Sequence, residues 1–206
     1  MAKAIDMAKV FGIGMVSVKH SNHFGMSAWV VQQALDAGLM SLVFTNSSPA
    51  LPVWGGKSTL MGTDDPSTAL EGVMLPMGGP KGSALAIMMD VFSGVLSGSA
   101  FAGHVTNPYD PSRPADVGHF LVAIKPDLFM SMEDFKERME YLYQRVVGSD
   151  KMAGVDRIYM PGELEQLVHE ERSRSGIPYV EAEIEALNEE ARRVGSREIK
   201  VTGWEE

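Results

Sequence analysis

The first 45 residues fall into four blocks whose apolar and polar positions predict a helix, a strand, a second helix and a second strand. Helical spacing runs from Ala2 to Phe11 and again from Met26 to Gly38. Ile13 to Val18 alternates as a strand does, and Leu39 to Thr45 is a second apolar strand. This order predicts a βαβ unit whose two strands pair at least partly in parallel. In the first helix, Ile5, Ala8 and Val10 are expected to face inward. In the second, the residues at helical spacing are Val31, Ala34, Leu35 and Gly38.

The middle of the chain changes from a loop-forming to a strongly apolar composition. Ser47 to Gly62 is rich in Pro, Gly and Ser, which is typical of a loop. Gly82 to Leu96 is apolar on nearly every side and predicts a buried helix. Pro80 lies near its start, where a missing N–H has no partner to lose. Asp90 interrupts this helix, and we expect it to be a structural carboxylate with satisfied hydrogen bonds.

Helices dominate the last third of the chain. After the Pro-rich loop from Asn107 to Val117, His119 to Ile124 is predicted to be a strand. Ser131 to Asp134 resembles a capping box, so a helix should follow it. A further helix is predicted from Val180 to Val194. The apolar stripes of these two helices are Phe135, Met139, Leu142 and Val146 in the first, and Val180, Ile184, Leu187, Ala191 and Val194 in the second.

Together these elements predict an α/β fold. We expect a mixed sheet that contains the βαβ unit and is flanked by helices. A chain of 206 residues can bury one good core, and no shift in composition separates two domains. The predicted organisation is therefore a single core over residues 1–195, followed by a polar tail over residues 196–206.

Charge and composition exclude several classes of function. The 18 basic and 27 acidic side chains give a net charge of −9, which disfavours nucleic acid and anionic membranes as partners. No apolar run reaches the ~18 residues needed to span a bilayer, and the N-terminus lacks the architecture of a signal peptide. The absence of cysteine excludes disulfides, thiolate metal sites and cysteine nucleophiles, and it fits a cytoplasmic protein.

Ser21-Asn22-His23-Phe24-Gly25 is the first stretch with candidate chemistry. It joins the first predicted strand to the second predicted helix, where backbone N–H groups and the helix dipole attract an anion. His23 can add a hydrogen-bond donor, and Gly25 allows a ligand to approach the main chain. The alternative from the residues alone is a structural turn between a strand and a helix, in which the histidine is packed.

Gly78-Gly79-Pro80-Lys81-Gly82 opens the apolar helix in a similar way and adds a lysine. From the residues alone it fits an anion-binding loop or a tight structural turn. Pro161-Gly162-Glu163 is by itself only a weak turn signal. We expect the His23–Gly25 and Gly78–Gly82 loops to face one cleft on the same side of the sheet.

Several well-known motifs fail at one required position. The pair Gly12 and Gly14 lacks the third glycine of the dinucleotide fingerprint, because that position is Ser17. The segment at residues 56–58, Gly-Lys-Ser, has a leucine where a phosphate loop needs its first glycine. His20 and His23 have no third candidate ligand nearby in sequence, so no metal site is expected. The residues therefore do not support a Rossmann dinucleotide site.

Several motifs in one order resemble the malate/L-lactate dehydrogenase family, a set of NAD(P)H-dependent 2-oxo-acid reductases. The resemblance covers most of the chain up to about Gly195. The matching segments are Gly12-Ile13-Gly14-Met15-Val16, Ser21 to Gly25, Thr45-Asn46, Trp54-Gly55-Gly56, Gly62-Thr63, Leu75 to Gly82, Gly118-His119-Phe120 and Met160-Pro161-Gly162-Glu163.

The resemblance implies a family-specific α/β fold that binds NAD or NADP without the Rossmann fingerprint. It implies a small 2-oxo or 2-hydroxy acid as the substrate, with Thr63 in contact with it, and a homodimer. The family usually has a histidine where this chain has Pro80, which weakens the expectation of one cofactor contact. The resemblance assigns cofactor binding to His23, Phe24, Gly25, Met26, Ser27, Pro80, Lys81, Pro161, Gly162 and Glu163.

The resemblance also indicates missing segments. Thr63 and Asp64 match a substrate motif, whereas the residues from Asp65 onward match a part of the family that lies well downstream. A central segment is therefore expected to be missing at this point, and an N-terminal one as well. These segments carry the family's catalytic histidine, its carboxylate partner and substrate arginines, so the catalytic residues stay unassigned. The alternatives are a non-catalytic binding or assembly module and an inert truncated product.

Overall fold

The structure is a computed structural model that describes residues 1–61, 75–107, 109–201 and 203. Two compact units divide the chain, Met1–Phe135 and Lys136–Glu206, and each is described by itself. The single core expected over residues 1–195 stays a prediction. Among the described residues, no helix is long and apolar enough to cross a membrane.

A three-stranded sheet organises the first unit. Its strands are β1 (Ile13–Ser21), β2 (Met40–Thr45) and β5 (Val117–Ile124), in the order β1-β5-β2. β1 and β2 each pair antiparallel with β5. The two N-terminal strands therefore run in the same direction, as a βαβ unit requires, but they do not pair with each other. The expected parallel pairing is wrong, because a strand from 74 residues later in the chain lies between them. The α/β class itself is confirmed by solved structures described below.

The strand register brings three chain segments together at one end of the sheet. Ser21 at the end of β1 pairs with Val117, and Thr45 at the end of β2 pairs with His119. The loops that follow β1 and β2 therefore meet the start of β5. The register between β1 and β5 shifts at a bulge between Val18 and Ser21, as is common near functional sites.

The helices α1 (Ala2–Phe11) and α2 (Ser27–Asp36) cover one face of this sheet, largely where the hydrophobic pattern predicts helices. Gly14 allows a close approach, since an added Cβ would lie 2.0 Å from the carbonyl oxygen of Ala4. Val10 is 74% exposed, so its predicted inward position is wrong. In α2, Leu35 is 62% exposed. The buried cluster contains Ala4, Ile5, Ala8, Ala34, Leu39 and Ala123.

The opposite face of the sheet packs against a π-helix over Val91–Val95, which continues the helix α3 (Pro80–Asp90). The ring of Phe92 lies 5.6 Å from that of Phe44 and 5.0 Å from that of Phe120. Pro80 is at the start of α3, as predicted. The predicted burial is wrong, because apolar side chains on several sides of this helix remain 38–58% exposed: Leu85, Ile87, Met88, Val91, Val95 and Leu96.

The segment predicted as a loop over residues 47–62 contains a small hairpin, formed by β3 (Leu51–Pro52) and β4 (Thr59–Met61). Strands of two and three residues are too short to show an alternating pattern. The prediction of an uninterrupted loop is therefore wrong in its described part.

Helices make up the second unit, which α4 (Met132–Val147) enters from the first unit. Ser131 caps α4 as predicted, since its Oγ accepts the Asp134 N–H at 3.1 Å. The helix α6 (Glu181–Arg193) is also confirmed, but α5 (Glu163–Ser175) was not predicted, because its apolar positions are confined to Leu164, Leu167 and Val168. The expected apolar stripes of α4 and α6 contribute no buried side chain.

Candidate functional site

The loop after β1 carries the first set of candidate residues. Gly25 has a positive φ of 82°, and its N–H donates to His23 Nδ1 at 3.1 Å. An added Cβ at Gly25 would meet no atom within 4 Å, so the space above the main chain is open. Met26 precedes α2 and is 69% exposed, and its side chain does not cap the helix. The residue before the helix therefore offers no side-chain acceptor to the N–H groups of the first turn of α2, which begins at Ser27.

His119 lies beneath this loop, on the central strand. It is 4% exposed, and its Nε2 is 3.2 Å from the carbonyl oxygen of Asn22. Its Nδ1 is 2.9 Å from Thr45 Oγ1, and its ring centroid is 4.4 Å from that of Phe24. One buried side chain therefore contacts two residues of the loop and the end of β2.

Burial lowers the pKa of His119 below its ordinary value of 6.5. The bond to the Asn22 carbonyl acts in the opposite direction, and the nearby His23 lowers the pKa further. The neutral imidazole is therefore the form favoured at this position.

Asn46 fixes the same end of the sheet from the other face. Its Oδ1 accepts the Gly118 N–H at 2.9 Å, and its Nδ2 donates to the Ala100 carbonyl at 2.7 Å and to Asp90 Oδ1 at 3.1 Å. Asp90 Oδ2 accepts the Ala102 N–H at 2.8 Å. The prediction that Asp90 is a satisfied structural carboxylate is confirmed.

The β1 bulge holds a second histidine contact. His20 Nδ1 lies 2.7 Å from Asp116 Oδ1, and both residues have positive φ, at 55° and 54°. The His20 N–H donates to Ser99 Oγ at 2.8 Å. This pair joins the end of β1 to the residue before β5. Among the described residues, no group of three His, Asp or Glu side chains could hold a metal ion.

The second candidate loop, at residues 78–82, contacts the β3–β4 hairpin. The N–H of Trp54 donates to Ser83 Oγ at 3.0 Å, and a Cβ at Gly79 would lie 3.1 Å from the Trp54 ring. Gly79 has a φ of 64° and directly precedes Pro80, the first residue of α3. The Lys81 side chain is exposed at this helix start. The shared cleft expected for this loop and the His23 loop stays a prediction.

The remaining candidates lie in the second unit or outside the described residues. In the second unit, Glu163 pairs with Arg157, and its other carboxylate oxygen accepts the Met160 N–H at 3.1 Å. Pro161 lies in the turn that the bond between Met160 and Glu163 closes, and Gly162 has a φ of 92°. Thr63 and the junction between residues 64 and 65 lie outside the described residues, so the predictions made for them are not tested by the geometry.

His119, Thr45, Asn46 and Asp116 were not predicted to have a role from the sequence, although the first three lie in motifs that resemble the family. The available signal was a single histidine inside an otherwise apolar strand, Val-Gly-His-Phe-Leu-Val-Ala-Ile. A second signal was the polar pair Thr45-Asn46 directly after an apolar strand. Neither signal indicates that the two segments meet, because their pairing is not local.

Curated relatives of this chain carry dehydrogenase names. The malate dehydrogenase of Pyrococcus abyssi is 29% identical over 260 positions, covering 98% of this chain and 71% of that protein. The (2R)-3-sulfolactate dehydrogenase (NADP(+)) of Chromohalobacter salexigens is 24% identical, covering 84% and 66%. The ureidoglycolate dehydrogenase (NAD(+)) of Escherichia coli O157:H7 is 25% identical, covering 88% and 66%. Two of these three relatives have names that specify NAD or NADP, in agreement with the cofactor class that the motifs imply.

Solved structures share the fold. The sulfolactate dehydrogenase of Methanocaldococcus jannaschii has a TM-score of 0.82 at 25% identity, covering 94% of this chain and 70% of that one. The malate dehydrogenase of Pyrococcus horikoshii OT3 has a TM-score of 0.82 at 27% identity, covering 96% and 70%. The α/β fold implied by the motifs is thereby confirmed.

The sequence model of the malate/L-lactate dehydrogenase family matches this chain in two segments, residues 1–64 and 63–188. The two matches meet at residues 63–64, where the motifs indicate that a central segment is missing. In addition, the alignment to the P. abyssi protein runs over 260 positions, more than the 206 residues of this chain. Positions of that relative therefore have no counterpart here. Because the matched segments cover most of its length, the chain belongs to the malate/L-lactate dehydrogenase family.

Proposed function

We propose that this protein is an NAD(P)-dependent oxidoreductase that interconverts a 2-hydroxy acid and the corresponding 2-oxo acid. The observation that carries this proposal is the family match over most of the chain. The names of the relatives support it, because malate, sulfolactate and ureidoglycolate are all 2-hydroxy acids. The substrate is therefore a small organic acid of the 2-hydroxy or 2-oxo class.

The loop after β1 fits one part of the dinucleotide. Open space above Gly25 and the exposed start of α2 allow a phosphate to approach the main chain. His23, Phe24, Gly25, Met26 and Ser27 are the residues that we assign to this contact. Their role is to bind the anion through main-chain N–H groups and to orient the ring system beside it.

The start of α3 fits a second contact. Pro80 begins the helix without an N–H to satisfy, and the exposed Lys81 places a positive charge at the first turn. We assign Pro80 and Lys81 to the cofactor. Lys81 supplies charge that the chain lacks overall, since its net charge is −9.

The turn at residues 161–163 is assigned to the adenosine side of the cofactor. Both carboxylate oxygens of Glu163 already have partners, Arg157 and the Met160 N–H. Glu163 therefore shapes the turn, and the main chain of Pro161 and Gly162 is the part that offers contacts to a ligand.

The bound nicotinamide would supply the hydride in this chemistry. Thr63 is assigned to the substrate, which its hydroxyl orients by a hydrogen bond. Reduction of the carbonyl also needs a proton at the new hydroxyl oxygen, and none of the five histidines matches the family's acid. The donor of this proton is left unassigned.

A second candidate function is a binding or assembly module that retains the dinucleotide without catalysis. The break in the family match at residues 63–64 favours it, because the missing segment carries catalytic residues in the family. Calorimetry with NADH and NADPH, combined with an oxidation assay on malate and lactate, separates the two functions. Binding with turnover supports the oxidoreductase, and binding without turnover supports the module. The absence of both contradicts each of them and favours an inert product.

The role of Lys81 can be tested in the same titration. Lys81→Ala should weaken NADH binding by about tenfold, since a charge-assisted contact contributes about 1.5 kcal/mol or more. Lys57→Ala is the matched control, because Lys57 is also exposed and lies in the turn between β3 and β4. Equal affinities for the two variants would contradict the Lys81 assignment.

A homodimer and a cytoplasmic location complete the proposal. The exposed apolar side chains along α3 and the π-helix, such as Leu85, Val91 and Val95, support self-association, because burying them would be favourable. The absence of cysteine fits a reducing compartment. A monomer in light scattering at micromolar concentration would contradict the dimer.

A further inference from the structure

We infer that His119 is a positioning residue for the loop of Asn22 to Gly25, which it holds from the central strand by one hydrogen bond and one ring contact. The inference rests on the proposed function, because it assigns His119 to the loop that the proposal gives to the dinucleotide. His119 is not itself a cofactor ligand in this account. It acts by keeping His23 and Gly25 in the arrangement that they have in the free protein.

His119 lies on the central strand, β5. Every other side chain of β5 is apolar or absent, and β5 is buried almost throughout its length. A buried imidazole in such a strand is unfavourable unless its ring nitrogens have partners. Here both nitrogens have them, at 3.2 Å and 2.9 Å. The partner on Nε2 is a main-chain group of the loop, so the need of His119 for a partner fixes the position of that loop.

The partners of the two ring nitrogens fix which of them carries the proton of the neutral His119 imidazole. The Asn22 carbonyl can only accept a hydrogen bond, so Nε2 must carry hydrogen. In the neutral imidazole Nδ1 is then an acceptor, and the Thr45 hydroxyl donates to it. The Asn22 carbonyl thus selects the tautomer, and the Thr45 hydroxyl, which can donate or accept, satisfies the other ring nitrogen.

The ring of Phe24 also contacts His119. Its centroid lies 4.4 Å from that of His119, with the two planes tilted by 51°. Phe24 is half-buried, whereas Asn22, His23 and Gly25 are exposed. The loop is therefore anchored at two points, the Asn22 carbonyl and the Phe24 ring, and His23 projects from the segment between them.

Two substitutions separate the ring contact from the hydrogen bond. His119→Phe keeps an aromatic ring beside Phe24 but leaves the Asn22 carbonyl without its donor. His119→Gln restores an N–H donor at a similar reach. His169→Phe is the matched control, because His169 lies exposed on α5. Circular dichroism checks that each variant is folded, and Thr45→Val replaces His119→Phe if that variant fails to fold.

Calorimetry with NADH is the first measurement. We expect His119→Phe to weaken binding by about tenfold, the effect of leaving a hydrogen-bonding group without its partner. His119→Gln should recover to within about threefold of the wild-type affinity, and His169→Phe should match the wild type. Thr45→Val should weaken binding less than His119→Phe, because it removes only the partner of Nδ1 and leaves the bond from Nε2 to the Asn22 carbonyl in place. Equal affinities for His119→Phe and the wild type would overturn the inference.

Hydrogen exchange without ligand is the second measurement, and it does not depend on the proposed function. The amides of Phe24 and Gly25 should exchange about tenfold faster in His119→Phe than in the wild type or in His169→Phe. The ¹⁵N shifts of the His119 ring in the wild type should show hydrogen on Nε2. If the wild type binds no dinucleotide, the proposed function fails, while faster exchange still shows that His119 holds the loop. Unchanged exchange, or hydrogen on Nδ1 alone, would overturn the inference.

Discussion

Asn46 in the first unit and Asn188 in the second are both buried asparagines that bond to the main chain, yet they connect very different lengths of chain. Asn46 accepts from Gly118, 72 residues away, and donates to Ala100, 54 residues away. Asn188 accepts from and donates to Ile199 alone, 11 residues away, at 2.7 and 3.0 Å. The same amide therefore closes a sheet in one unit and a short helix-to-tail loop in the other.

The comparison shows that the two units are stabilised in different ways. In the first unit, polar groups are buried between layers that come from distant parts of the chain, so few alternative partners can replace a lost one. In the second unit, α4 and α5 bury none of their side chains and α6 buries only Asn188. Exposed ion pairs such as that of Arg192 with Glu185 lie on the same helix. We expect substitutions to be costly in the first unit and mild in the second.

The largest expected effect tests the packing around Asn46. Gly118→Ala would place a Cβ 1.7 Å from the carbonyl oxygen of Ser93, a main-chain atom that cannot rotate away. We expect the free energy of unfolding to fall by at least about 3 kcal/mol, as measured by urea denaturation. Gly203→Ala is the control, because its Cβ would meet no atom within 4 Å. Similar midpoints for the two variants would contradict this packing.

The next effect compares the two asparagines directly. Asn46→Ala should destabilise by about 2–3 kcal/mol, because the buried Gly118 N–H and the Ala100 carbonyl lose their partners. Asn188→Ala should cost only about 1 kcal/mol, since Ile199 is partly exposed and water can replace the amide. Denaturation of both variants under the same conditions gives the difference. If Asn188→Ala lowered the free energy of unfolding as much as Asn46→Ala or more, the two units would not differ in this way.

The third effect concerns pH and His119. Burial lowers the folded pKa of His119 below 6.5, so the unfolded chain binds a proton that the folded chain refuses. Stability should therefore fall as the pH drops from about 6.5 through the folded pKa. His119→Phe should flatten this part of the profile, whereas His169→Phe should retain it. Denaturation midpoints measured between pH 5 and pH 8 provide the test, and an unchanged slope in His119→Phe would argue against a buried neutral imidazole.

The smallest effect concerns the start of α4. Ser131→Ala removes the Oγ that accepts the Asp134 N–H, which should cost about 1 kcal/mol. Ser131→Asp, which keeps an acceptor at the cap, should lie close to the wild type. A loss equal to that of Asn46→Ala would mean that exposed caps matter as much as buried bridges in this protein.

Local signals were the part of the fold that the sequence could predict. The helix from Ala2 to Phe11, the cap at Ser131 and Pro80 at the start of α3 all depend on residues within one or two turns. The α/β class followed from the order of these elements. The family followed from several motifs in one order.

Pairings and burial between distant segments could not be predicted in the same way. The sequence could not show that β5 separates β1 from β2, because strand order depends on which edges meet. The helix over residues 82–96 was expected to be buried because it is apolar, yet burial depends on what packs against it. The role of His119 was missed for the same reason, since its partners Asn22 and Thr45 lie 97 and 74 residues away.

The position of β5 in the sheet also has a consequence for synthesis on the ribosome. β1 and β2 emerge first, but the strand that must pair with both of them lies 74 residues further along than the end of β2. At ~5–20 residues per second, the two nascent strands wait about 4–15 s for their shared partner. During that interval the edge of each strand that pairs with β5 in the folded sheet is without its native hydrogen bonds. Slowing translation between residues 46 and 116 should therefore increase aggregation of this chain, whereas slowing it after residue 124 should not.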